Sequence, residues 1–153
     1  MNHLGYACIN MGFSSLPKSQ RITTNRTMIK RTFHDRGIEY ASELALQNLR
    51  DLHTILEWNL ANDIYFYRLS SDIIPWASEY DLVDMPNFGA IHAAALKAGN
   101  FARKHGMRLT SHPGPFNKLA SPKERVFELT KTDLSVHGDL FDLIGLPRNP
   151  YAK

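Results

Sequence analysis

The chain has 153 residues, 43% of them hydrophobic and 22% charged, with a formal net charge of +3. That length and balance suit one modest globular domain, and no run approaches the roughly 18 apolar residues that a membrane-spanning helix needs. Cys8 is the single cysteine, which excludes an internal disulfide framework and a cysteine-based zinc site.

The opening MNHLGYACIN lacks the charged-then-apolar layout of a signal peptide, so a reducing cytoplasmic setting is expected. Leu4 to Ile9 reads as a buried first strand, with Cys8 a buried, inert thiol in it. Residues 11–38 read as a long polar loop with at most one short helical turn. Within it Lys18, Arg21, Arg26, Lys30, Arg31 and Arg36 face a single acid, Asp35. Such a cluster can neutralise phosphates, or it can be a solvated loop with incidental charge. Tyr40 to Asn62 is helical, because Leu46, Leu49, Leu52, Leu56 and Leu60 recur every three or four residues.

Ile64 to Leu69 is a short second strand, and Pro75 bars its continuation. Residues 88–105 form an alanine-rich helix closed by Gly106. Met107 to Ser111 is the third strand. Ser121, Pro122 and Glu124 carry the pattern of an N-cap, a first helical position and a capping box. The helix they open has Val126, Leu129, Val136, Leu140 and Leu143 as its inner stripe, and Gly145 and Pro147 end it. Strands alternating with helices predict an α/β fold with a parallel sheet, either open and doubly wound or a (β/α)8 barrel. In both, chemistry sits where strands end and the following loops begin.

Three stretches fall at such ends. His112 follows the third strand, in a turn stiffened by Pro113, Gly114 and Pro115. It suits a zinc, manganese or iron ligand, or a backbone hydrogen bond at a strand end. The other histidines, His3, His34, His53, His92, His105 and His137, read as structural or exposed. After the second strand, Arg68, Ser70, Ser71 and Asp72 could meet a phosphate–sugar backbone or cap the next turn. At the first strand, Tyr6 and Asn10 could stack on and hydrogen-bond a base, or Tyr6 could belong to the core. Phe116, an aromatic on a proline-rich loop, suggests a wedge into stacked bases. No serine has a recognisable histidine–carboxylate partner by spacing, so nucleophilic catalysis is not expected.

GYACIN at 5–10, TTNRT at 23–27, NLRDLHTILEWN at 48–59, YRLSSDIIPWAS at 67–78 and RLTSHPG at 108–114 together resemble the UV damage endonuclease family. The resemblance runs in order along nearly the whole chain. It implies a TIM barrel, a cluster of divalent metals usually described as manganese, and nicking of double-stranded DNA 5′ of ultraviolet lesions. It implies that His112 is a metal ligand and that Tyr6, Asn10, Asn25, Arg26, Arg68, Ser70, Ser71 and Asp72 lie on the DNA side. The pair after Gly114 matches the family's lesion probe, typically glutamine then an aromatic. Phe116 keeps the aromatic, whereas Pro115 replaces the glutamine and has neither an amide side chain nor a backbone N–H.

A (β/α)8 barrel typically takes about 250 residues. The expectation is therefore one domain, residues 1–153, holding about the first three βα units of an incomplete barrel. It would be cytoplasmic and nucleoid-associated, or virus-encoded, and would need a C-terminal half from another chain. The competing readings are a catalytically inactive DNA-binding or complementing fragment and a sugar isomerase-like barrel.

Overall fold

Three short strands, β1 (Gly5–Ala7), β2 (Phe66–Leu69) and β3 (Arg108–Ser111), pair in parallel in the order β1-β2-β3. The computed structural model describes residues 4–149, so His3 lies outside them. Tyr6 sits opposite Tyr67, and Tyr67 opposite Leu109. The crossovers are helical: α2 (Lys30–Ala61) joins β1 to β2, α3 (Phe88–Lys104) joins β2 to β3, and α4 (Glu124–Ile144) follows β3. A short helix, α1 (Met11–Ser14), opens the first loop. Parallel strands require such crossovers, which is why sequential units stack side by side.

The core is the seam between sheet and helices. From α2, Ala41, Ala45, Leu49, Leu52, Ile55 and Leu56 are buried, at the three- and four-residue spacing of one helix face. All but Ala41 join Tyr67 and Leu69 of β2, Leu109 of β3, Ile91 and Ala95 of α3 and Ile144 of α4 in one cluster. Each leucine of this size contributes about 1.5–3 kcal/mol on burial. α3 ends at Gly106, whose φ of +63° suits the left-handed residue after a helix. α4 ends similarly on Gly145 (φ +74°), and Leu146 N–H returns to Phe141 O at 2.9 Å.

Five expectations need correction. The first strand is shorter than Leu4–Ile9 and not buried: Leu4 and Ile9 are exposed, and Cys8, at φ +60°, ends it. Cys8 is half-buried, and desolvation raises its thiol pKa against a lowering effect of Arg68.

Residues 30–38 are not loop. α2 starts at Lys30 and bends at Gly37, so Lys30, Arg31 and Arg36 ride on helix. Its extra turns are held by Phe33 stacked on Trp76, with ring centroids 5.3 Å apart.

The capping box does not form. α4 begins at Glu124 with Lys123 at the N-cap and no side-chain cap, while Ser121 Oγ accepts from Lys123 N–H at 3.2 Å. Leu129, expected on the inner stripe, is 61% exposed, and the neighbouring Thr130 takes the buried place instead.

Asn48 ties the first loop to this scaffold. It is fully buried on α2, donates from Nδ2 to Arg26 O (2.9 Å) and Ile73 O (3.0 Å), and accepts from Arg26 N–H (3.1 Å). Asn48→Ala leaves those backbone groups unpaired and should lower the unfolding free energy by about 3 kcal/mol. Urea denaturation measures it, and a loss under about 1 kcal/mol would show that the loop is held elsewhere.

Between α2 and α3, His53 stands edge-on to Phe101, centroids 5.1 Å apart. Desolvation lowers its pKa, with Glu57 opposing and Lys97 reinforcing. The unfolded chain therefore takes up that proton more readily. The His53 contribution is complete above the unfolded value of about 6.5 and is lost as pH falls below it. Unfolding measured from pH 7.5 to 5 should show that decline, flatter in His53→Gln; an unchanged slope would assign it to other groups.

Candidate functional site at the carboxyl edge of the sheet

The carboxyl ends of the parallel strands bring together Cys8–Asn10, Ser70–Asp72 and the turn after Ser111. Under the first of these lies a polar seam. Tyr6 O–H donates to Asn59 Oδ1 at 2.6 Å, and Asn10 Nδ2 donates to the Tyr6 oxygen at 2.9 Å. Asn10 Oδ1 accepts from Phe13 N–H at 3.2 Å and so caps α1. The Tyr6 ring packs edge-on to Tyr67 at 5.1 Å. Desolvation raises the Tyr6 pKa, with Asn10 and Asn59 opposing, so its hydroxyl is a fixed donor. Tyr6 thus belongs to the packed layer at the strand mouth, half-buried, with Asn10 locked beside it.

TTNRT is a latch laid over this seam. Tyr67 O–H donates to Cys8 O at 2.9 Å, and its single proton being spent, the Thr24 hydroxyl donates to Tyr67 at 3.0 Å. Asn25 Nδ2 donates to the same Cys8 carbonyl at 3.1 Å. These bonds fix Cys8 in its left-handed conformation. Arg26 pairs with Asp51 at 2.7 Å and donates to Thr23 O and Arg21 O. Asn25 and Arg26 are therefore occupied inside the protein, while Lys18, Arg21, Lys30, Arg31 and Arg36 carry the exposed positive charge of this region.

At the second strand end, Arg68 Nε donates to Ser111 O at 3.2 Å, joining β2 to β3 at the edge. Ser70 and Ser71 are half-buried and Asp72 is exposed. Desolvation raises the Asp72 pKa, and Asp133 adds to this while His137 opposes. Ser71, Asp72, Ser78 and Asp133 line a small polar cavity with Trp76 and Val136, about 260 Å³ in volume.

At the third strand end, His112 is exposed and Pro115 and Phe116 project into solvent, Phe116 85% exposed. Beneath them His137 of α4 is buried, and its Nδ1 lies 2.5 Å from Ser111 Oγ. Its Nε2 lies 3.9 Å from Asp133. Burial lowers the His137 pKa, with Asp133 and Asp72 opposing and His112 reinforcing. Residue spacing did not reveal this serine–histidine–aspartate set, because β3 and α4 are joined by a loop that hides their proximity.

Among the described residues no group of three or more His, Cys, Asp or Glu could hold a metal ion. A multi-metal centre therefore does not fit these residues alone. Among them, too, no helix is long and apolar enough to cross a membrane.

A parallel α/β sheet with its polar groups, an exposed aromatic and a basic region gathered at the carboxyl edge is the layout of proteins that act on ligands at that edge. The chain belongs to the UV-endonuclease UvdE family, whose model matches residues 2–153. It is 35% identical to the UV-damage endonuclease of Schizosaccharomyces pombe, over 94% of this chain and 23% of that protein. It is equally similar, at 35%, to the putative UV-damage endonuclease of Acanthamoeba polyphaga mimivirus, over 93% of this chain and 42% of that one. The crystal structure of SacUVDE superposes with a TM-score of 0.79 at 28% identity, covering 94% of this chain and 46% of that chain. The chain thus spans less than half the length of these relatives.

Proposed function

We propose that this chain is the DNA-gripping N-terminal portion of a UV damage endonuclease, contributing the first three βα units of a (β/α)8 barrel. The observation that carries the reading is the turn after β3, which exposes both His112 and Phe116 within five residues in a family member. The substrate is double-stranded DNA with ultraviolet lesions, nicked 5′ of the lesion, and the setting is the cytoplasm or a virus-infected cell. Divalent metal, manganese by family resemblance, would supply the hydrolytic chemistry. His112 would give one ligand, and the others would come from outside the described residues.

The exposed cations of the first loop and α2 would neutralise phosphates, and binding would weaken steeply with salt. Arg68, Ser70, Ser71 and Asp72 would line the groove floor, while Tyr6, Asn10, Asn25 and Arg26 would set its shape from below. Phe116 would enter the stack where a lesion has already weakened it. Pro115 cannot donate a hydrogen bond to an orphaned base, so lesion recognition would rest on shape and stacking.

Phe116→Ala should weaken binding to an irradiated duplex about tenfold, the worth of one base–aromatic stack, and leave intact duplex nearly unchanged. Fluorescence anisotropy titration reads both, and equal losses would contradict the wedge. A second reading, a DNA-binding module without catalysis, draws on the absence of a metal-holding group among the described residues. It predicts lesion binding with no nicking under any complementation.

A further inference from the structure

Thr130, Asp133 and His137 stand three and four residues apart on α4, which puts them on one helix face. Each meets the turn after β3 at a different point. His137 Nδ1 contacts Ser111 Oγ at 2.5 Å, where the turn leaves the strand. Asp133 Oδ2 accepts from Asn117 Nδ2 at 2.5 Å, and the same amide donates to Gly114 O at 3.1 Å. Thr130 Oγ1 accepts from Lys118 N–H at 2.9 Å while donating to Val126 O at 2.8 Å. The segment from His112 to Phe116 is thereby held at both ends.

Phe116 itself is 85% exposed, so no apolar packing fixes its direction. Pro113 and Pro115 restrict φ but do not orient the turn relative to the sheet. Thr130 and His137 are almost completely buried, a placement polar groups tolerate when bonded. We propose that this stripe is a positioning device that holds the His112–Phe116 turn in its presenting conformation and so sets the preference for damaged over intact duplex. The second half rests on the nuclease reading. A turn ordered in advance loses little freedom when Phe116 enters a lesion, whereas a loose one bears that ordering cost on the damaged duplex alone, since intact duplex does not admit the ring.

The test compares the whole chain with Asp133→Ala, Asp133→Asn and Asn117→Ala. The last removes the same bond from the loop side and leaves α4 untouched, which guards against a variant that fails to fold. Backbone order parameters of the Gly114 and Phe116 amides are read by 15N relaxation. Values of about 0.8 are expected in the wild type and below about 0.6 in Asp133→Ala and Asn117→Ala. Order should return in Asp133→Asn, whose side-chain oxygen still accepts. An ordered turn in both alanine variants, or no rescue by asparagine, overturns the positioning role.

Affinity for irradiated and intact duplex is then measured on the same proteins. Asp133→Ala should cut the ratio about tenfold, with rescue by asparagine. A loosened turn with an unchanged ratio overturns the selectivity half. A wild-type chain with no preference for damage would count against the nuclease reading, while the order parameters would still decide the positioning role.

Discussion

Gly99→Ala is expected to lower the unfolding free energy by about 3 kcal/mol, against a helix preference that favours alanine by about 1 kcal/mol. An alanine Cβ at that position of α3 would lie 1.8 Å from Ile144 O and 2.8 Å from Ile144 Cγ2. The carbonyl cannot swing away freely. It belongs to the last turn of α4, accepts from Arg103 Nη1 at 3.2 Å, and its residue is fully buried. The helices would have to separate, loosening Ala95, Ala98 and Ala102 from Leu140 and Ile144. Gly138→Ala is the matched control: it lies within α4, where an added Cβ meets nothing within 4 Å, and it should stabilise by a few tenths up to about 1 kcal/mol. Urea midpoints of the two variants should move in opposite directions. A neutral Gly99→Ala would mean that α3 and α4 do not approach this closely.

His112→Ala should reduce nicking by this chain, together with a complementing C-terminal half, by about 10³-fold or more, about 4 kcal/mol of transition-state stabilisation. His112 is exposed at the end of β3, and the residue before it is bound from beneath by His137. Its loss would remove the proposed ligand without removing any residue of the buried core. Affinity for intact duplex, which we assign to the exposed cations, should change less than about twofold. Nicking retained in the variant would show that His112 does not serve the reaction.

The alternation of strands and helices was legible because it depends on local pattern. Leu49, Leu52 and Leu56 of the expected α2 stripe, Gly106 and Gly145 all announce themselves within a few residues, although Leu46 and Leu60 of that stripe are only half-buried. The start of α2 was not legible, since Lys30–Arg36 is polar and is held as helix by Phe33 against Trp76, a partner far along the chain. The buried first strand was overread for the opposite reason: Leu4 and Ile9 are apolar, but no described element covers them. At the site, His112 and Phe116 were visible as residue types in a constrained turn. Asn25 and Arg26 looked like surface groups, and only the fold shows them bonded to Cys8 O and Asp51. The Thr130–Asp133–His137 stripe carries a readable helical spacing, yet its polar face looks like solvent until β3 is placed against it.

Grip on lesion-bearing DNA, with His112 as one ligand of a metal site, is what we propose for this chain. Its most direct test is nicking of an ultraviolet-irradiated, end-labelled duplex with added manganese. The chain is assayed alone and then with a C-terminal half taken from the mimivirus relative. Cleavage 5′ of the lesion is expected only when both are present. Cleavage by the chain alone, or none with both present, would contradict it.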